Sequence, residues 1–224
     1  MAQPWKIIDT VITAEGQLEL RQRGEGDFLI MLGSQVLMNS MANRSELALG
    51  RLGCGHLKNS GRARVLVGGL GMGFTLRAVL DSLSSEAEVV VAELNPVILK
   101  WCLGPLAALT GNAAADPRVA VEICDVSDMI KGCVAKGGAA RFDAIVLDLY
   151  RGPHAKSHHR DDPLYGSRAI ENIRGALKPS GLLSVWGENY DEGFHKRLES
   201  AGFSVTTERP GRGGLRHVVF LARM

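Results

Sequence analysis

Val65-Leu66-Val67-Gly68-Gly69-Leu70-Gly71-Met72-Gly73-Phe74-Thr75-Leu76-Arg77 decides the reading of this 224-residue chain. A β-branched run enters a glycine cluster. Beyond it Leu76, Val79, Leu80 and Leu83 recur at i, i+3, i+4 and i+7, which is one face of a helix. Glycines at 69, 71 and 73 allow a tight turn and let a ligand lie against bare main chain. The helix start offers unpaired N–H groups to a polar or anionic group. About 20 residues further on, Glu93 closes the next apolar run, Val89-Val90-Val91-Ala92, where an acid in a doubly wound sheet takes the ribose hydroxyls of a nucleotide. Glycines alone make only a turn. Strand, glycines, helix, strand and acid in register point to a nucleoside-containing cofactor.

On the carboxyl side of this stretch, strands and helices alternate. Asn95-Pro96 starts a helix with proline at its first position. Residues 104–115 are rich in Ala and Gly and give no pattern. Val119 to Ile123 is a third strand ending at Asp125, and Met129, Ile130, Cys133 and Val134 mark the next helix, closed by Gly137-Gly138. Phe142 to Leu147 is nearly all apolar, as suits a central parallel strand covered on both faces, and it ends at Asp148-Leu149-Tyr150. A polar loop, 151–163, leads to a helix carrying Ile170, Ile173 and Leu177 and stopped by Pro179-Ser180-Gly181. A fifth strand (182–186), a helix closed by Gly202, and two strands joined through Pro210-Gly211-Arg212-Gly213-Gly214 complete the chain. The last pair reads as an antiparallel hairpin. Five β–α units finishing this way predict an α/β, Rossmann-like class I methyltransferase fold: a mostly parallel seven-stranded sheet with a C-terminal antiparallel hairpin.

On the amino side, residues 5–38 read differently. Four short β-rich runs are separated by Ala14-Glu15-Gly16, Gly24-Glu25-Gly26-Asp27 and Gly33-Ser34, the pattern of a meander. It is too small to stand alone and should lean on the larger α/β unit. The expected division is a β-meander over 1–40 and a cofactor-binding unit over 41–224. Asn43 or Ser45 would cap a helix running to about Gly53, with residues 55–62 as a polar linker.

Charge is nearly balanced, 26 Lys and Arg against 24 Asp and Glu, with no block of like charge, so nothing calls for nucleic acid or an anionic membrane. No apolar run is long enough to span a bilayer, and the N-terminus lacks a leader's apolar core; the expectation is a cytoplasmic protein. Cys54, Cys102, Cys124 and Cys133 have no metal spacing and read as buried free thiols. Three of the six histidines lie in 152–162, but Lys156 and Arg160 oppose a cation there, and the loop reads as a lid with no metal site. His56 and His217 read as structural, and Trp101 and Trp186 as core.

Ligands of such sheets bind at the carboxyl ends of the strands. Those ends here are the glycines, Glu93, Asp125, and Asp148 with Tyr150. Further motifs are Val91-Ala92-Glu93-Leu94-Asn95, Asp116-Pro117-Arg118-Val119, Phe142 to Asp148, Gly152-Pro153, Pro163-Leu164-Tyr165 and Ala176-Leu177-Lys178-Pro179-Ser180-Gly181. With these, the chain from about residue 28 onward resembles the polyamine aminopropyltransferases (spermidine synthases) and their methyltransferase-like relatives in the class I S-adenosylmethionine-dependent superfamily. The resemblance implies that Gly69, Gly71, Met72 and Gly73 flank the methionine-derived part of the cofactor. It implies that Glu93, beside Leu94, holds the ribose, and that Asp125, beside Val126, takes the adenine amino group. It also implies a homodimer.

The departures fall on the acceptor side. The family's Asp within the glycine motif is Met72 here. Its second Asp after the fourth strand, which accepts a proton from the attacking amine, is Arg151, and its Tyr in the helix after the β-domain falls at Glu46. A cation at 151 repels a protonated diamine and suits a carboxylate or phosphate. The sequence therefore predicts S-adenosylmethionine-dependent transfer, methyl in the first reading, to a small acceptor, an anionic one if Arg151 contacts it and is not simply a solvated loop residue. Asp148 is the candidate base or orienting group. Asp148 also borders the cofactor, Tyr150 packs on it or donates a hydrogen bond, and Arg151, Glu46 and Glu188 contact the acceptor. One alternative is aminopropyl transfer from decarboxylated S-adenosylmethionine. Another is a non-catalytic nucleoside-binding relative. An NAD dehydrogenase fits the glycine spacing and the terminal hairpin poorly.

Overall fold

A computed structural model describes residues 3–157, 159–210 and 217–224. His158 and the segment 211–216, which holds most of the expected hairpin turn, lie outside the described residues. Two sheets form. The first is the meander, β1 (Lys6–Thr13), β2 (Gly16–Arg23), β3 (Asp27–Leu32) and β4 (Gln35–Asn39), antiparallel in sequence order. The second has seven strands: β5 (Arg64–Gly68), β6 (Glu88–Glu93), β7 (Val119–Ile123), β8 (Phe142–Leu147), β9 (Leu177–Gly187), β10 (Ser204–Glu208) and β11 (Val218–Arg223). Its order is β10-β11-β9-β8-β5-β6-β7. Pairings from β7 to β9 are parallel, and β11 is antiparallel to both β9 and β10. This is the fold class expected from the sequence.

The helices are α1 (Arg44–Cys54), α2 (Phe74–Asp81), α3 (Pro96–Leu103), α4 (Val126–Lys136), α5 (Ser167–Ala176) and α6 (Glu192–Ser200). β8 takes the centre of the sheet because its residues are buried on both faces, with Ala144, Ile145, Val146 and Leu147 fully enclosed. The chain runs outward from β5 through β6 to β7, then returns to β8 and goes the other way. The order thus reverses between β5 and β8, and the crevice outside their carboxyl ends is where such a sheet opens to a ligand.

The meander has no separate core. Leu18, Leu20, Phe28 and Ile30 join one buried cluster with Leu49, Val67, Leu70, Met72 and Trp101. Its first strand is tied down through Asp9, which accepts from the Trp101 indole N–H at 2.9 Å and from Lys100 at 3.0 Å. The junction to the larger sheet runs through α1, which lies close on α2: a Cβ on Gly50 would stand 2.7 Å from the Ala78 Cβ and from the Thr75 carbonyl oxygen.

Several local expectations need correction. Neither Asn43 nor Ser45 caps α1 with its side chain: the Asn43 amide turns back to the Ser40 carbonyl at 3.2 Å, and the Ser45 hydroxyl goes to Glu46. The supposed linker holds a 3-10 turn, Gly55–Leu57, with Leu57 buried. Residues 104–115 form two further 3-10 turns, Ala107–Thr110 and Ala113–Ala115. Pro179-Ser180-Gly181 does not end α5, which stops at Ala176. It forms an irregularity inside β9, where Ser180 has φ +65° and the pairing jumps from Phe142–Leu177 to Ala144–Leu182. Leu83 lies past the end of α2 but still packs on the core.

The α1–α2 contact gives a stability test. Gly50→Ala should lower unfolding free energy by about 1–3 kcal/mol, the usual cost of forcing atoms into a filled contact, as read by urea denaturation. An unchanged midpoint would contradict the close approach.

Candidate active site

The glycine stretch leaves β5 and turns beneath β8. Gly69 has φ +88°, and a Cβ there would collide with the Asp148 carbonyl oxygen; no other residue type fits. Gly71, at φ +51°, faces Met38, whose Sδ would lie 2.8 Å from an added Cβ. The turn is held by backbone bonds from Gly69 to the Ala92 carbonyl at 2.9 Å and from Asp148 to the Gly68 carbonyl at 2.8 Å. Met72 points into the core, 1 % exposed, and lies off the cavity; its N–H meets Met38 Sδ at 3.1 Å. Gly73 starts α2 and is also off the cavity lining.

Above this turn lies a cavity of about 380 Å³, within the size class of small-ligand sites. Of the residues expected to meet a ligand, Glu46, Gly69, Gly71, Glu93, Leu94, Asp125, Val126, Asp148, Tyr150 and Arg151 all line it. Glu188 does not: it is exposed and lies outside the lining. Elements from both sheets enclose the space, since Leu18, Ile30, Leu37 and Met38 come from the meander.

The acids differ in their surroundings. Glu93 is 7 % exposed, and both its oxygens accept from main chain: Oε2 from Leu70 N–H at 2.9 Å, Oε1 from Asn95 N–H at 2.8 Å. Burial pushes its carboxyl upward, and these N–H groups oppose the shift. The lone-pair capacity that remains on this carboxylate is open to hydroxyl donors in the cavity. Asp125 stands at the N-terminus of α4, where Oδ1 accepts from Ser127 N–H at 2.7 Å. Leu94, Ile98 and Val126 supply apolar surface near these two acids, so the lining fits a nucleoside: hydroxyl acceptors, an apolar bed and a further acid for a donor group.

Asp148 and Glu46 form the deeper acidic pair. Thr75 donates to Asp148 Oδ2 at 2.6 Å. Asp148 is pushed up to about 7, first by enclosure in the protein, then by the charge of Glu46, with the Thr75 hydroxyl pulling the other way. Glu46 is 8 % exposed and accepts from the Ser45 hydroxyl at 2.7 Å. At the mouth, the Tyr150 hydroxyl lies 3.4 Å from Glu15, which also accepts from the Asn95 amide at 3.0 Å. The Arg151 guanidinium lies over the Tyr150 ring, 5.2 Å from its centre.

Twelve of the 22 lining residues are not among those expected from the sequence, Glu15, Met38, Cys124 and Trp186 among them. Glu15 reads as a hairpin turn residue, and Met38 as the end of a strand. Both reach the site only because the meander folds over the crevice. Trp186, read as core, and Cys124, read as a buried thiol, both keep surface on the cavity. Trp101, Cys54, Cys102 and Cys133 are buried as expected, and burial lifts the Cys54 and Cys102 thiols to about 12. Thr75, which reaches the site through Asp148 without lining it, carried a signal, since it lies in the glycine stretch. The ends of the polar loop, Arg151 and Leu164, line the cavity, whereas His154 and His159 are exposed. Among the described residues no cluster of three His, Cys, Asp or Glu side chains could hold a metal, and no helix is long and apolar enough to cross a membrane.

No protein-family profile matches the chain. It is 32 % identical over 122 residues to polyamine aminopropyltransferase 1 of Hyperthermus butylicus, a match covering 54 % of this chain and 39 % of that protein. The chain thus spans about two fifths of this curated relative. Its fold superposes on spermidine synthase from Thermotoga maritima with a TM-score of 0.74 at 16 % identity, covering 97 % of this chain and 72 % of the other. Human methyltransferase-like protein 13 in complex with SAH matches at a TM-score of 0.59 and 21 % identity, covering 83 % and 81 %. The chain is therefore spermidine synthase-like, similar in part of its sequence to a polyamine aminopropyltransferase and built on the fold that spermidine synthases share with class I methyltransferases.

Proposed function

We propose that this protein transfers an aminopropyl group from decarboxylated S-adenosylmethionine to a small amine. The observation that carries this reading is the charge of the cavity. Five carboxylates line it (Glu15, Glu46, Glu93, Asp125 and Asp148) against one cation, Arg151, which is stacked on Tyr150 at the mouth. Such a lining favours a polycation and opposes the anionic acceptor that Arg151 suggested from the sequence. The similarity to a polyamine aminopropyltransferase supports the same choice.

In this reading Glu93 holds the ribose, Asp125 the adenine amino group, and Gly69 and Gly71 let the donor lie against main chain. The donor, when bound, supplies a sulfonium whose adjacent carbon is open to attack. Glu46 and Asp148 draw the acceptor's ammonium into the crevice. Asp148, ionised in part near neutral pH, takes the proton that the nitrogen sheds, because a base titrating near the working pH is best matched to that task. Alignment by the glycine turn and Tyr150 supplies the rest. A second reading, methyl transfer from S-adenosylmethionine, draws on Met72: it lies in the core, so the glycine turn itself presents no acid to a donor amine.

Supplied with decarboxylated S-adenosylmethionine and linear diamines or triamines, the protein should release methylthioadenosine and form a longer amine, as read by chromatography. Glu46→Gln should raise the amine KM on the order of 100-fold, the cost of losing one member of a desolvated charge contact. Release of S-adenosylhomocysteine from S-adenosylmethionine, without methylthioadenosine from the decarboxylated donor, would instead support methyl transfer.

Asp148 also makes a stability prediction. Its folded value, about 7, lies above that of an unfolded aspartate. The folded state therefore holds more protons than the unfolded state between about pH 4 and 7. Stability that is fully present below pH 4 is lost as pH rises through 7. Solvent reaching Asp148 through the cavity trims the effect to about 1–2 kcal/mol between pH 5 and 8. Asp148→Asn should remove this loss, gaining on the wild type by that amount at pH 8 relative to pH 5 in urea titrations. An equal difference at both pH values would contradict the burial.

A further inference from the structure

The acidic pair is not held by the cavity walls alone. Ser45 and Glu46 are neighbours in the first turn of α1, and both are buried. The Ser45 hydroxyl donates to Glu46 Oε2 at 2.7 Å and lies 2.9 Å from His217 Nδ1. His217 stands just before β11, at the far end of the chain, half-buried with its ring edge-on to Trp186 at 4.9 Å. A serine hydroxyl has one proton. An ionised Glu46 can only accept, so that proton goes to Glu46, and His217 must supply an Nδ1–H to the serine oxygen. The chain of donors runs His217 to Ser45 to Glu46 and ends at the cavity wall.

We propose that His217 is a positioning residue: through Ser45 it fixes the Glu46 carboxylate in the direction that receives the acceptor's ammonium. This rests on the amine-acceptor reading given above. A long glutamate side chain gains orientation only if its partner is itself held. Ser45 alone can rotate its hydroxyl toward other acceptors. With His217 donating from one side, the hydroxyl keeps one direction and so does the carboxylate. Trp186 packs the imidazole from the cavity side, so the ring cannot swing out without opening the wall.

The packing role and the hydrogen-bonding role separate by substitution. His217→Asn keeps an N–H donor near the Nδ1 position and loses the ring. His217→Phe keeps a ring against Trp186 and loses the donor. The amine KM should rise about tenfold in His217→Phe and in Ser45→Ala, the weight of one hydrogen bond to a charged group. His217→Asn should stay within about threefold of wild type. In all three, kcat and donor affinity should move less than about threefold, because Glu46 is asked to hold the amine and Asp148 to take its proton. A wild-type KM in His217→Phe, or an Asn variant as impaired as the Phe variant, would overturn the proposal. If no amine is turned over by the wild type, the amine-acceptor reading fails separately. The Glu46 side-chain carboxyl carbon resonance then decides the positioning. Displacement in His217→Phe with return in His217→Asn supports it, and no displacement overturns it.

Discussion

The site depends on how closely β5 and β8 approach at their carboxyl ends. Asp148 donates its N–H to the Gly68 carbonyl at 2.8 Å, and the next residue, Gly69, turns directly under the Asp148 carbonyl with no room for a side chain. One backbone pairing thus sets the glycine turn and the deepest carboxylate against each other. Because the sheet order reverses between these two strands, nothing from the sheet covers the gap. The meander covers it instead. Leu18, Ile30, Leu37 and Met38 roof the crevice, and Glu15 adds a carboxylate at its edge. The roof is held by its share in the core around Leu49 and Trp101 and by the Asp9 contacts to α3.

Enclosure then shapes the chemistry. An aspartate in water is fully ionised at neutral pH; Asp148, surrounded by protein and facing Glu46, titrates near 7. Thr75 keeps part of its charge by donating to it. Glu93, less exposed than Asp148, is instead wired to main-chain N–H groups and made rigid. Two acids in one cavity thus stand in different surroundings: one is held by main-chain donors, the other has its carboxyl raised to about 7.

The fold was legible because its signals are local. β-branched runs, helical periodicity and the Asn95-Pro96 start lie in adjacent residues, and the acids at strand ends are located by them. What escaped was built by distance. Glu15 reads as a turn residue, and only the meander's docking brings it to Tyr150 and Asn95. Trp186 and Cys124 are half on the cavity wall, which no apolar pattern distinguishes from full burial. Glu188 was placed by its strand end, but the chain beyond β9 turns outward and leaves it exposed. The acidity of the cavity escaped for the same reason. Arg151 stood alone in the sequence next to Asp148, whereas in space it is one cation among five acids and stacks on Tyr150.

The acidity of this cavity is open to a direct reading. Decarboxylated S-adenosylmethionine carries one more net positive charge than S-adenosylmethionine and lacks the carboxylate that Asp148 and Glu46 would repel. Calorimetric titration of the protein with the two should give tighter binding of the decarboxylated form, by about tenfold or more at low salt, with the gap narrowing as salt rises. Tighter binding of S-adenosylmethionine would contradict an acidic acceptor pocket and an aminopropyl transferase built on it.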